Sequence, residues 1–360
     1  MGSQLFRPQC LLPSAQPYGE TTFTRPADTP EAFSGFLNEL SARTMRGGEP
    51  SREEILYLLE TPPDSPQSEL MRKKAQEMAI ELTGNTGRVW SAVGIDRRSC
   101  PMNCEFCSFG EKWGLIKDES EWPDEDVVKT ARLSVSGGVS WFTLRTTEFY
   151  SVERLMALAR KVRAEVPGDY ALVVNTGELD AEKARQLKDA GVTGVYHTLR
   201  LGEGETTRFE PATRLATMSA VCDSELELYH MVEPLGPEHG NEEIADRLIA
   251  SRDCKAALSG VMARVNIKGT PFGDREPVSE SRVSQLVAVS RICGGSSTRD
   301  ICVVPPTKRS LQSGANVVTI EIGSVPRSEL TEHGTAWNGF GLKEALELLQ
   351  SAGYTANRLE

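Results

Sequence analysis

Two rhythms of apolar and polar positions divide the chain. Up to Gly84 the spacing is helical. One helical pattern runs from about Pro30 to Met45. A second starts at Ser51, where "SREE" forms a capping box: Ser51 caps and Glu54 reaches back. "SELMRKKAQEMAIELTG" then reads as an amphipathic helix stopped by Gly84. Ahead of both, residues 1–30 are rich in Pro, Thr and Gln and predict an extended or poorly ordered arm.

From Val89 onward short β-rich runs alternate with helical stretches. The predicted strands are "VWSAVGI" (89–95), "WFTLRTT" (141–147), "YALVVNT" (170–176), "GVYHTLR" (194–200), "LELYHMVE" (226–233), "LSGVMARVN" (258–266), "ICVVPP" (301–306) and "NVVTIEIG" (316–323). Between them lie helical candidates such as "SVERLMALARKVRAEV", "NEEIADRLIASRD" and "SESRVSQLVAVSRI". Eight strands joined by right-handed crossovers fit a (β/α)8 TIM-type barrel with an N-terminal helical extension. An open doubly wound sheet is the alternative. In either, ligands gather at the carboxyl ends of the strands. The expected layout is an N-terminal arm and helices over 1–84, a barrel over 85–327 and a C-terminal helical tail over 328–360.

Composition narrows the class. The 360 residues are 39% hydrophobic and 25% charged, as in a soluble globular protein. No apolar run approaches the ~18–20 residues of a membrane span, and no signal-peptide core opens the chain, so a cytoplasmic location is expected. A net charge of −11 without a concentrated basic run disfavours a nucleic-acid partner. Eight cysteines in such a chain point to reduced thiols or metal ligands rather than to a disulfide framework.

Three of those cysteines, Cys100, Cys104 and Cys107 in "CPMNCEFCSFG", directly follow the first predicted strand. Closed structural zinc wants four ligands, usually in pairs, and no fourth lies close by in sequence. Catalytic zinc with three protein ligands more often uses His or carboxylate. Three thiolates on a [4Fe–4S] cubane leave one iron without a protein ligand, able to chelate a small molecule. That is a chemical reason to stop at three.

C-x3-C-x2-C after the first strand of a barrel, with the aromatic Phe106 before the last cysteine, resembles the signature of radical S-adenosylmethionine (radical SAM) enzymes. The layout is similar to the full-barrel group of biotin synthase, the hydrogenase maturase HydE and methylornithine synthase. The shared stretches are "LRTTE", "LRLGEG…PATR", "KGTPF" and "SGANVV". The resemblance implies a [4Fe–4S] cluster whose open iron binds the methionine end of SAM, with an electron donor such as flavodoxin or ferredoxin. It also implies one-electron cleavage of SAM to a 5′-deoxyadenosyl radical that abstracts a substrate hydrogen. It places Glu148 against the SAM ammonium, with Thr146 and Thr147 standing where the family usually has glycines. Arg200, Glu203 and Arg214 follow strand four; by the same resemblance Glu203 meets the ribose hydroxyls and Arg214 the SAM carboxylate.

Further candidates come from strand alternation. Tyr229, Met231 and Glu233 share one face of strand five, which makes Glu233 a substrate or SAM contact and leaves His230 on the other face. Arg264 lies in an otherwise apolar strand. It is expected either to meet an anion inside the barrel or to form an ion pair with Glu233 or Glu321. Asp180 in "GELD" reads as a helix cap, and no glycine-rich phosphate loop is present.

Of the other cysteines, Cys10 lies in the arm, Cys222, Cys254 and Cys293 near helix ends, and Cys302 inside strand seven. The resemblance to biotin synthase would bring a sulfur-donating second cluster with cysteines on strands two, three and five, and those stretches hold none here. The expected activity is therefore hydrogen abstraction from a small polar or anionic molecule, followed by rearrangement, fragmentation or addition. A sulfur-inserting synthase and a non-catalytic iron–sulfur assembly protein are the alternatives.

Overall fold

The structure, a computed structural model, describes residues 23–327 and 336–356; Cys10 and most of the expected arm lie outside them. Eight parallel strands form the centre: β1 (Arg88–Gly94), β2 (Trp141–Arg145), β3 (Ala171–Asn175), β4 (Gly194–Tyr196), β5 in two segments (Glu227–Tyr229 and Val232–Leu235), β6 (Leu258–Ala263), β7 (Asp300–Val304) and β8 (Val317–Gly323). β1 pairs with β2 on one side and with β8 on the other, the latter over its full length from Arg88↔Val317 to Gly94↔Gly323. β6 pairs with β7 from Leu258↔Asp300 to Met262↔Val304, and β7 with β8. No edge is left, so the sheet is a closed (β/α)8 barrel and the open-sheet alternative falls.

Helices α1 (Pro30–Met45), α2 (Arg52–Glu60) and α3 (Pro66–Thr83) precede the barrel. Ser51 and Glu54 make both hydrogen bonds of the capping box at the start of α2. The "TPP" stretch after Glu60 separates α2 from α3, and Gly84 ends α3 in the left-handed region at φ 62°. The outer ring comprises α4 (Asp124–Ser136), α5 (Val152–Glu165), α6 (Ala181–Asp189), α7 (Pro211–Cys222), α8 (Asn241–Asp253), α9 (Glu280–Gly294) and the short α10 (Lys308–Leu311). Asp180 caps α6, as expected from "GELD". α3 packs along α9 and α2 against α8, so the leading helices form a second layer over the ring.

Strand alternation sorts the side chains into two cores. Val89, Val93, Phe142, Leu144, Leu172 and Val174 point outward into the layer beneath the helices. Trp90, Trp141, Val173, Tyr229, Met231, Met262 and Cys302 fill the lower barrel interior. There Trp90 lies 5.7 Å from the rings of Tyr196 and Tyr229 and donates its indole N–H to Thr143 Oγ1 at 2.6 Å. This packing floors the cavity at the carboxyl ends of the strands. At the other end α11 (Leu342–Ser351) and a bridge between Thr86 and Thr355 lie beneath β1. No described helix is long and apolar enough to cross a membrane.

Candidate active site

The loop from Cys100 to Gly110 sits over the carboxyl ends of the strands, held by its own backbone and by three neighbouring loops. Cys100 N–H donates to Phe109 O at 2.7 Å and Cys107 N–H to Cys104 O at 2.9 Å. Glu105 N–H reaches Thr206 O after β4, Glu105 O accepts from Phe272 N–H after β6, and Ser108 donates through N–H and Oγ to Pro326 O after β8. Gly110 cannot carry a side chain, because a Cβ would lie 2.1 Å from Trp113 Nε1. The three thiols are free and largely buried. Burial pushes Cys100 up to about 11 and raises Cys104 and Cys107 as well.

Metal binding needs thiolates, and a cluster held by Cys100, Cys104 and Cys107 would supply the positive charge that favours them. Among the described residues no three His, Cys, Asp or Glu side chains converge as ligands of a single ion would. Thiolates on three irons of one cluster need not converge in that way. The donor set fits a cluster with one open iron.

Beneath the loop lies a cavity of about 160 Å³. Cys104 and Cys107 roof it, Trp90, Met231 and Met262 floor it, and Arg145, Arg200, Arg214, Glu233, Arg264, Glu321 and Arg327 contribute charge to its walls. Glu233 Oε2 accepts from Tyr196 Oη at 2.6 Å. His230, on the opposite face of β5, points away and is fully buried among the packing, as alternation requires.

A chain of alternating charge runs along the β3 and β4 side. Arg200 Nη1 lies 3.4 Å from Glu203 Oε2, and Arg214 Nε lies 3.4 Å from the same oxygen. Arg214 Nη1 donates to Glu178 Oε1 at 2.9 Å and its Nη2 to Thr198 O at 2.9 Å. Phe209 lies under both guanidinium groups. Burial opposes charge on Glu203, but Arg200 and Arg214 outweigh it and hold the carboxyl below its usual range. Glu178 belongs to "GELD", two residues before the helix cap Asp180. Nothing in the sequence marks it, since its partner Arg214 lies on α7, in the next βα unit.

Glu148 sits at the head of the loop after β2, reaching toward this chain without joining it. It makes no hydrogen bond or ion pair among the described residues, and burial pushes its carboxyl up to about 7. Thr146 and Thr147, in the glycine positions, are accommodated by hydrogen bonds. Thr146 Oγ1 bonds Thr176 Oγ1 at 2.9 Å, and Thr147 bonds the buried Asp96 through N–H and Oγ1. Gly177 lets the β3 loop pass, since a Cβ there would lie 2.2 Å from Glu148 O.

Arg264 has a partner other than those expected. Its guanidinium pairs with Glu238 and donates through Nε to Asn266 Oδ1 at 3.0 Å, while stacking over Phe272. Neither Glu233 nor Glu321 pairs with it. Glu321 instead holds Arg145 and Arg327, an arrangement visible only once β8 closes beside β1 and β2. Cys302 faces the barrel interior, with Sγ 3.2 Å from Thr319 Oγ1, below the cavity. The inward positions of β2, β3 and β5 carry Thr143, Arg145, Val173, Asn175, Met231 and Glu233, and no thiol.

A closed parallel barrel with a thiol-bearing loop roofing a charged cavity defines an enzyme of the (β/α)8 class. No family-level sequence profile matches the chain. It is 26% identical over 279 residues to mitochondrial biotin synthase of Emericella nidulans, a match covering 71% of this chain and 66% of that protein. It is 25% identical over 344 residues to biotin synthase 2 of Corynebacterium diphtheriae, covering 89% and 96%. In fold it is similar to the crystal structure of methylornithine synthase (PylB), with a TM-score of 0.73 at 15% identity over 89% of this chain and 97% of that one. In sequence and fold the chain thus resembles enzymes of the radical SAM kind.

Proposed function

We propose that this enzyme cleaves S-adenosylmethionine reductively at a [4Fe–4S] cluster held by Cys100, Cys104 and Cys107. It then takes hydrogen from a small polar or anionic substrate enclosed in the barrel. The observation that supports this best is the shared cavity: two of the three thiols roof the same space that Arg145, Glu233 and Glu321 line. When bound, the cluster and SAM supply one-electron sulfonium cleavage to methionine and a 5′-deoxyadenosyl radical.

The chain's own residues bind and enclose. Glu148, a partly buried carboxylate that makes no ion pair among the described residues, suits the SAM ammonium. Arg214, clamped by Glu178 and the Thr198 carbonyl with its Nε toward Glu203, brings positive charge to the cavity wall for the SAM carboxylate, and Glu203 beside Arg200 offers acceptors to ribose hydroxyls. Glu233, oriented by Tyr196, faces the substrate, and Arg264, held by Glu238, forms wall. Trp90, Met231 and Met262 exclude water from below, which a carbon radical requires. An external one-electron donor of flavodoxin or ferredoxin type would dock over the cysteine loop.

The sequence relatives favour a second reading, sulfur insertion. Thiol-free inward positions on β2, β3 and β5 weigh against it. Anaerobic reconstitution with iron and sulfide, then SAM and dithionite, tests the proposal. About four irons per chain, broad visible absorption and 5′-deoxyadenosine are expected. Tight binding of one zinc without visible absorption would sink it, and a product with a new C–S bond would restore the second reading.

A further inference from the structure

Across the cavity from Glu233, three charged side chains form a group that binding of SAM, as assigned above, does not use. Arg145 ends β2, Glu321 lies on β8, and Arg327 follows β8. Arg145 Nη1 and Arg327 Nη2 both donate to one oxygen, Glu321 Oε1, and Arg145 Nη2 also donates to Ser324 O at 2.6 Å. Gly94, at the end of β1, makes room for this strand end, since a Cβ there would lie 1.9 Å from Ser324 O.

The geometry leaves two polar atoms over. Among the described residues Glu321 Oε2 is buried and accepts nothing, and Arg327 Nε is buried and donates to nothing. Glu321 is 4% exposed and Arg327 15%, and both line the cavity. An unpartnered buried donor or acceptor loses its hydration without replacement, so two on one ion pair are a standing cost that an occupant would relieve. The group is also unbalanced, with two guanidinium ions around one carboxylate. Burying an uncompensated cation is expensive unless an anion joins it. An occupant that relieves all three must bring a negatively charged acceptor and, close beside it, a donor for Glu321.

We infer that Arg145, Glu321 and Arg327 bind the head group of the substrate, and that this head group is a carboxylate carrying an amino or hydroxyl group on the adjacent carbon. The carboxylate meets Arg327 and Arg145, the neighbouring N–H or O–H meets Glu321 Oε2, and the rest of the molecule lies over Trp90 and Met262 toward Glu233. This deepens the reading above, on which it rests, and it moves the anion site from Arg264 to the opposite wall.

The test uses the smallest probes that carry the head group, alanine and lactate, with propionate and ethylamine as partial versions. Each is added at tens of millimolar to the reconstituted holoenzyme with SAM, and binding is read by ligand-observed NMR. Alanine or lactate should bind at least about tenfold better than propionate, and ethylamine should not bind. Arg327→Gln should weaken that binding about tenfold or more, while SAM still perturbs the EPR signal of the reduced cluster; Arg327→Lys should lie between. Glu321→Gln distinguishes the two head groups, weakening alanine strongly and lactate little. Propionate binding as well as alanine and lactate, no binding of either, an unaffected Arg327→Gln, or loss of the SAM perturbation in that variant would each overturn the assignment. Failure of the radical reading would show differently, as a wild-type protein whose cluster is absent or blind to SAM.

Discussion

Asp96 Oδ1 accepts the backbone N–H of Thr147 at 2.7 Å, and its Oδ2 accepts the hydroxyl of the same residue. One buried carboxylate thereby fixes the turn immediately before Glu148. The carboxylate sits in the short ribbon Asp96–Arg97, which pairs with Ser120–Glu121 between β1 and α4. Two threonines thus fill a turn where glycines would need no such support. Asp96→Ala would strand a buried N–H and a hydroxyl, and should cost about 1–3 kcal/mol in stability. It should also weaken SAM binding by loosening Glu148. Denaturant unfolding together with SAM titration checks both, and an unchanged SAM affinity would separate the turn from the site.

The pH dependence of SAM binding should follow Glu148. Burial raises its carboxyl to about 7, so at lower pH it is neutral and offers an ammonium little. A cation binding there favours the ionised form and releases a proton. Affinity should therefore rise with pH, by up to about tenfold per unit below 7, and level off above it. Glu148→Gln should flatten this profile. Equilibrium titration of SAM at fixed ionic strength across pH 6 to 8, a range chosen to bracket the shift, measures it.

Glu178 should matter more than its place in a surface-facing turn suggests. It is the carboxylate that Arg214 Nη1 contacts at 2.9 Å, and Arg214 is 2% exposed. Glu178→Ala leaves a buried guanidinium with less compensation and should cost about 3 kcal/mol. Glu178→Gln, which retains an acceptor, should cost less. Thermal unfolding of both variants compares them.

Cys104→Ala should abolish cluster content after anaerobic reconstitution, whereas Cys222→Ser and Cys302→Ser should retain the iron and sulfide of the wild type. Chelation of the iron should return the protein to a folded apo form, because the loop keeps its backbone bonds to Thr206, Phe272 and Pro326. Circular dichroism before and after chelation reads this directly.

His230 gives an acid-side stability prediction. It is fully buried with neither ring nitrogen bonded among the described residues, and burial pushes it down to about 3. Its folded value lies below the unfolded one of about 6.5, so the unfolded chain binds the proton first as pH falls. The neutral ring's contribution is intact above pH 6.5 and declines below it, by about 2 kcal/mol at pH 5. His230→Leu should reduce this slope in urea unfolding, the other groups titrating as before.

The barrel was legible because its signals are local. Runs such as "WFTLRTT" and "ICVVPP" alternate with helical stretches whose caps, Ser51 and Asp180, lie where the side-chain chemistry requires them. The cysteine loop was legible for the same reason, as three donors within eight positions. Ion-pair partners were not. Arg264 finds Glu238, only three residues beyond β5, through a loop whose path no periodicity encodes. Arg145 finds Glu321 across the closure of the sheet, 176 residues away along the chain, a meeting set by the pairing of β1 with β2 on one side and β8 on the other. Ends of strands also ran shorter than the apolar pattern, with β4 stopping at Tyr196 as the chain turns to bring Arg200 and Glu203 over the mouth.

The bond pair from Ser108 to Pro326 ties the cysteine loop to a residue that the ribosome delivers 218 positions later. Joining such distant points is the slow, entropically costly part of folding a parallel barrel. During synthesis the thiols of Cys100, Cys104 and Cys107 therefore emerge long before the wall that anchors them, and their loop acquires its final support only as β8 docks on β1. The proposed cluster would therefore meet a finished nest only late in the life of the chain, and a nascent or truncated protein lacking residues beyond β7 would expose the three thiols with no settled place for iron.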